Sequence, residues 1–89
     1  MMYPYITLSD GTEIMHSHVI EEDGLQSVEV HFERPNSNGF DMARCILPTY
    51  KWVKRDGFSD EEINKFETFL YNNAHLLYRY AVSGGIKIA

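Results

Sequence analysis

The sequence predicts an α+β fold, an antiparallel meander of about four strands packed on one long C-terminal helix. Three observations carry that expectation. Two Asp-Gly dipeptides, Asp10-Gly11 and Asp23-Gly24, punctuate a first half rich in β-branched and aromatic residues. Ser59-Asp60-Glu61-Glu62 has the form of a helix-capping box. Beyond it, apolar residues recur at helical spacing up to Ala81, just before the Gly84-Gly85 pair.

Tyr3 to Leu8, Thr12 to Ile20 and Leu25 to Glu33 form the first three expected strands. An Asp-Gly pair suits the two-residue type I′ turn, whose central positions both need positive φ; glycine accepts this freely and aspartate better than most. With both loops two residues long, Met15 falls opposite Phe32, Ser17 opposite Val30 and Val19 opposite Val28 on a core face. His16 then meets His31 and His18 meets Glu29 on the other face, where Tyr5 and Tyr3 join them from the first strand.

After a loop from Pro35 to Gly39, Asp41 to Leu47 alternates as the fourth strand. Ala43, Cys45 and Leu47 are expected to face the core, with Arg44 outward near Glu29 or Glu33. Pro48 ends this strand, and Tyr50 to Val53 reads either as an extension or as a bend. The helix is expected over 59–83, following a sheet within 1–55 and followed by a C-terminal tail or short strand over 84–89, all in a single domain. Ile63, Phe66, Leu70, Ala74, Leu77 and Ala81 make its core stripe, while Glu61, Lys65, Thr68, Asn72, His75 and Arg79 collect on the far side.

At 89 residues the chain has room for one hydrophobic core. Its net charge of -5 offers no overall attraction to phosphate backbones. No apolar run approaches the length a membrane-spanning helix needs, and Met1-Met2-Tyr3-Pro4-Tyr5 lacks the features of a signal peptide, so the expected location is cytoplasmic. The single Cys45 reads as a small buried hydrophobe.

The most specific chemical feature is the expected second face of the sheet. Three imidazoles, His16, His18 and His31, with the Glu29 carboxylate, have the donor chemistry of a transition-metal site with room for water. The helix offers a different feature. Its apolar band is wide and, at 1.5 Å per residue, the helix is expected to outrun strands of ordinary length. Phe69, Tyr71, Leu76 and Tyr78 of that band, or Tyr3 and Tyr5 of the His/Tyr sheet face, are therefore candidates for an interaction surface. Lys51-Trp52-Val53-Lys54-Arg55 places an aromatic among three cations, a pattern able to stack a nucleic-acid base. No spacing marks a catalytic nucleophile with its base.

The runs His31-Phe32-Glu33, Ala43-Arg44-Cys45, Leu47-Pro48 and Asn73-Ala74-His75-Leu76-Leu77 give the chain a pattern that resembles small uncharacterised bacterial proteins grouped as domains of unknown function. The resemblance implies a bacterial origin and supplies no activity or residue roles. The expected function is that of a noncatalytic interaction or accessory domain, self-associating or bound to another protein. A metal-binding or metalloenzyme domain is the alternative, and weak nucleic-acid binding comes third.

Overall fold

A computed structural model describes residues 1–84. The β-rich half folds into β1 (Tyr3–Thr7), β2 (Glu13–His16), β3 (Ile20–Glu22), β4 (Leu25–Asn36), β5 (Gly39–Leu47) and β6 (Lys51–Asp56), followed by α1 (Asp60–Ser83). All pairings are antiparallel, in the order β1-β2-β4-β5-β6, with the short β3 also paired to β4. The α+β class and the C-terminal helix are as the sequence predicts. Residues 50–53 neither extend β5 nor merely bend; most of them enter a further strand, β6, after a turn with a cis Leu47-Pro48 peptide. Of the expected tail over 84–89, Gly84 caps the helix and residues 85–89 lie outside the described residues.

The two Asp-Gly turns differ. Asp23 and Gly24 both take positive φ, 52° and 78°, so this turn is the two-residue loop the dipeptide predicts, and Glu22 pairs with Leu25. At the other turn only Gly11 is left-handed; Gly11 N–H donates to the Leu8 carbonyl and Leu8 N–H to the Thr12 carbonyl. The loop is therefore Ser9-Asp10-Gly11, a turn of three residues that closes on a left-handed glycine. Asp10 stabilises it by accepting the Thr12 N–H at 2.9 Å.

A second irregularity lies between β2 and β3. His16 pairs with Val30 and Ile20 with Ser27, so three residues, Ser17 to Val19, face two on β4. This is a bulge. Ser17 holds it: its N–H donates to the Glu29 carbonyl and its hydroxyl accepts the Glu29 N–H at 3.0 Å, in place of a ladder carbonyl. One extra residue exchanges the faces of β2. The expected pairs Met15–Phe32 and His16–His31 are replaced by Ile14–Phe32 and Met15–His31. Ile14 and His16 thus face the helix, and Met15 faces away.

The later strands keep their expected faces. Val28, Val30 and Phe32 pair with Leu47, Cys45 and Ala43 across β4 and β5, and all six are buried under α1. The helix starts as its sequence dictates, with Ser59 and Glu62 forming the reciprocal capping box. It ends on left-handed Gly84, whose N–H donates to the Tyr80 carbonyl. Ile63, Phe66, Leu70, Leu77 and Ala81 are buried and Ala74 is partly so, which is the predicted stripe.

Phe32 centres the core. Its ring stacks on Phe66 with centroids 4.3 Å apart, and Phe66 meets Phe58 edge-on at 5.0 Å. Arg34 closes the series, with its guanidinium carbon 4.7 Å from the centre of the Phe58 ring.

Candidate functional site

The four residues of the expected metal site are distributed over two faces of the sheet. His16 is fully buried beneath the helix; its Nδ1 bonds the Ser17 carbonyl at 2.9 Å, and its Nε2 is sealed away with no partner among the described residues. His18 lies in the bulge, where its Nε2 pairs with the Tyr3 hydroxyl and its Nδ1 reaches the Ala81 carbonyl at the end of α1. His31 stands on the opposite face, paired with Glu29. The expected cluster of His16, His18, His31 and Glu29 is thus dissolved by the Ser17 bulge. Among the described residues no group of three His, Cys, Asp or Glu side chains is placed to hold a metal ion.

The candidate interaction residues on the helix side are mostly occupied. Tyr5 packs against Phe69 and Tyr80 and donates its hydroxyl to Asn73 at 2.7 Å; burial and the neighbouring Tyr80 push its phenol pKa up. Phe69 and Tyr78 pack on the core, Tyr3 lies against His16 and His18, and Leu76 is half-buried. Tyr71 alone among these six is largely open, 64% exposed, although its ring stacks on Tyr50 at 4.3 Å. β4 runs for 12 residues, about 40 Å at 3.3 Å each, longer than the strands of ordinary length expected and longer than the 24-residue α1 at about 36 Å.

In the basic segment, Trp52 turns toward the helix, donates to Glu67 at 2.8 Å and packs on Phe32. It is not presented as a stacking platform. Arg55 pairs with Asp60, while Lys51 and Lys54 project from the other face, opposite Ile46 and Arg44. Cys45 is buried in the core, and burial, then the nearby Glu67, pushes its thiol pKa up to about 12. Because the thiolate is the reactive species, Cys45 is expected to resist a thiol-specific reagent in the folded protein and to react quickly in denaturant. Fast labelling without denaturant refutes this.

The helix-free face of the sheet brings together residues that sequence patterning did not join. Residues paired directly across antiparallel strands share a face, so two neighbouring rows can be followed across the sheet. One row runs Met15, His31, Arg44, Lys54, and the next runs Glu13, Glu33, Met42, Asp56. Ile46, opposite Glu29 and Lys51, continues the face beyond the first row, and Phe40, opposite Pro35, continues it beyond the second. Leu25 and Phe40, at the two ends of this surface, are 74% and 58% exposed. Ion pairs among the described residues engage His31, Arg34, Arg55 and Lys65, and leave Arg44, Lys51 and Lys54 without one. The Arg44 Nε is covered and has no acceptor among them.

A signal for this face was present in the sequence. In β5 both alternating sets carry apolar residues, Ala43, Cys45 and Leu47 on one side and Phe40, Met42 and Ile46 on the other. Such near-continuous apolar runs mark strands covered on both faces.

No protein-family model matches the chain, and no curated protein or solved structure matches it either. Among the described residues no helix is long and apolar enough to cross a membrane.

Proposed function

We propose that this chain is a noncatalytic interaction domain that works through the helix-free face of its sheet. The observation that carries the reading is β5, whose outward residues Phe40, Met42 and Ile46 are apolar although α1 covers only the opposite side. A strand facing water normally alternates apolar with polar residues. Here the outward side of β5 carries Phe40, Met42 and Arg44, residue types enriched at protein contacts. Among the described residues of this face the Ser27 hydroxyl donates to the Ile20 carbonyl and not to a base, which favours binding over catalysis.

Site-specific photo-crosslinking in the producing cell tests the proposal. A photoreactive side chain at Met42 is expected to give discrete crosslinked species, whereas the same group at Lys65, exposed on the outer side of α1, gives none. Silence at Met42, or the same products from both positions, overturns it.

A further inference from the structure

We infer that the occupant of the helix-free face is a second copy of this chain, docked face to face with its strands antiparallel. The inference rests on the contact reading above and names the partner for that surface. It comes from the signs of the two rows. One row carries the cations Arg44 and Lys54, with His31 beside them paired to Glu29 of its own chain; its neighbour carries the anions Glu13, Glu33 and Asp56. Successive residues on one face are two positions apart, so the rows are separated by about 7 Å.

Place a twofold axis between two copies, running across the strands midway between these rows. Each row then lies over the opposite row of the other copy. Lys54 meets Asp56 of the second copy, His31 meets Glu33, and Arg44 meets Met42 with Glu33 and Asp56 on either side. Met15 covers the stem of Glu13. An axis parallel to the strands, between β4 and β5, leaves each row over itself, so that Arg44 faces His31 and Glu13 faces Asp56. That arrangement juxtaposes like charges, and the antiparallel one pairs opposite charges.

Two further features fit a second copy. The chain carries a net charge of -5, which opposes self-association in general. On this face, however, the five carboxylates of Glu13, Glu22, Glu29, Glu33 and Asp56 stand against the three cations Arg44, Lys51 and Lys54, a net of -2 with His counted as neutral, so the face carries less than half of the chain's excess negative charge. Five strands at 4.8 Å spacing and about 25 Å along the strands give roughly 600 Å² per copy, or roughly 1,200 Å² in total, the lower end of specific interfaces. The dimer is therefore a reversible one, populated at high protein concentration.

Sedimentation velocity on the full chain, from micromolar to millimolar concentration, tests this with exposed residues whose replacement spares the core. The parent is expected to pass from monomer to dimer as concentration rises. Lys54→Glu and Asp56→Lys each set like charges together twice in the symmetric interface and are expected to weaken the dimer by about tenfold or more. The double substitution restores opposite signs and is expected to return the dissociation constant to near that of the parent. Lys65→Glu, on the outer side of α1, leaves it unchanged.

A chain that stays monomeric at millimolar concentration overturns the inference. So does a dimer indifferent to the two single substitutions, or a double variant weaker than either single one. If Met42 still crosslinks discretely to a different protein in that case, the second copy is excluded as partner and the contact surface stands. Silence at Met42 removes both.

Discussion

Phe32→Ala is expected to lower the stability of this domain by about 3–5 kcal/mol, the range for emptying a large aromatic site in a close-packed core. Phe32 is fully buried, stacked on Phe66 and in contact with Trp52 at a centroid distance of 5.6 Å. It lies between Ile14 on β2 and Ala43 on β5, so its ring joins three strands to the helix. Small domains hold about 0.05–0.15 kcal/mol per residue, which makes the loss a large fraction of the total for a chain of 89 residues. Urea unfolding monitored by far-ultraviolet circular dichroism checks it. The midpoint falls sharply while the slope stays that of the parent, and Phe32→Leu, which keeps much of the volume, loses less. A change below about 1 kcal/mol would show that Phe66 and Trp52 collapse into the space.

Arg34→Met is the second large effect, expected to cost about 2–3 kcal/mol, the scale of a lost hydrogen-bonded charge. One guanidinium joins the first hairpin loop, β5 and the helix start: it bonds Asp10 at 3.3 Å and Asp41 at 2.8 Å, and pairs with Glu62. Glu62 uses its other oxygen in the capping box, so the arginine also fixes the first turn of α1. Arg34 holds the Glu62 carboxyl below its ordinary range, assisted by the Ser59 N–H, and holds the Asp41 carboxyl down as well, assisted by Asn36. Asp10 is lowered chiefly by the Thr12 N–H, with a smaller contribution from Arg34. In return these carboxylates raise the arginine pKa.

The pH dependence follows. A carboxyl whose pKa is lower when folded binds fewer protons than in the unfolded chain. Its stabilisation is complete above the ordinary value, 4.5 for Glu62 and 3.8 for Asp41, and drains away as pH falls through the folded values. Acidification from pH 6 toward pH 3 is therefore expected to lower the parent's urea midpoint more than that of Arg34→Met, so the two stabilities converge in acid. Parallel curves would mean that Arg34 contributes through its stem on Phe58 and not through charge.

Some features were legible because local chemistry alone sets them. The Ser59–Glu62 box fixes where the helix begins, the periodicity from Ile63 to Ala81 fixes its buried side, and Asp23-Gly24 fixes a tight turn through the φ values it allows. In β4 and β5 the expected core faces, Val28 to Phe32 and Ala43 to Leu47, are also those observed. The Arg34 hub was not legible, since its partners lie between 7 and 28 positions away and converge only after the sheet pairs.

The Asp23-Gly24 turn and the helix with its buried stripe were determined by the sequence itself. Only the tertiary structure decided the faces of β2. Between Thr12 and Ile20 the two alternating sets are nearly equivalent: Ile14 and Ile20 on one side, Met15 and Val19 on the other. Hydrophobic patterning therefore leaves the register weakly specified. The choice fell to the three-residue loop closed by Gly11 and to the Ser17 hydroxyl, which takes the Glu29 N–H and absorbs one residue of β2 into a bulge. That single residue sent His16 into the core and left His31 on the opposite face, in the row of Arg44 and Lys54.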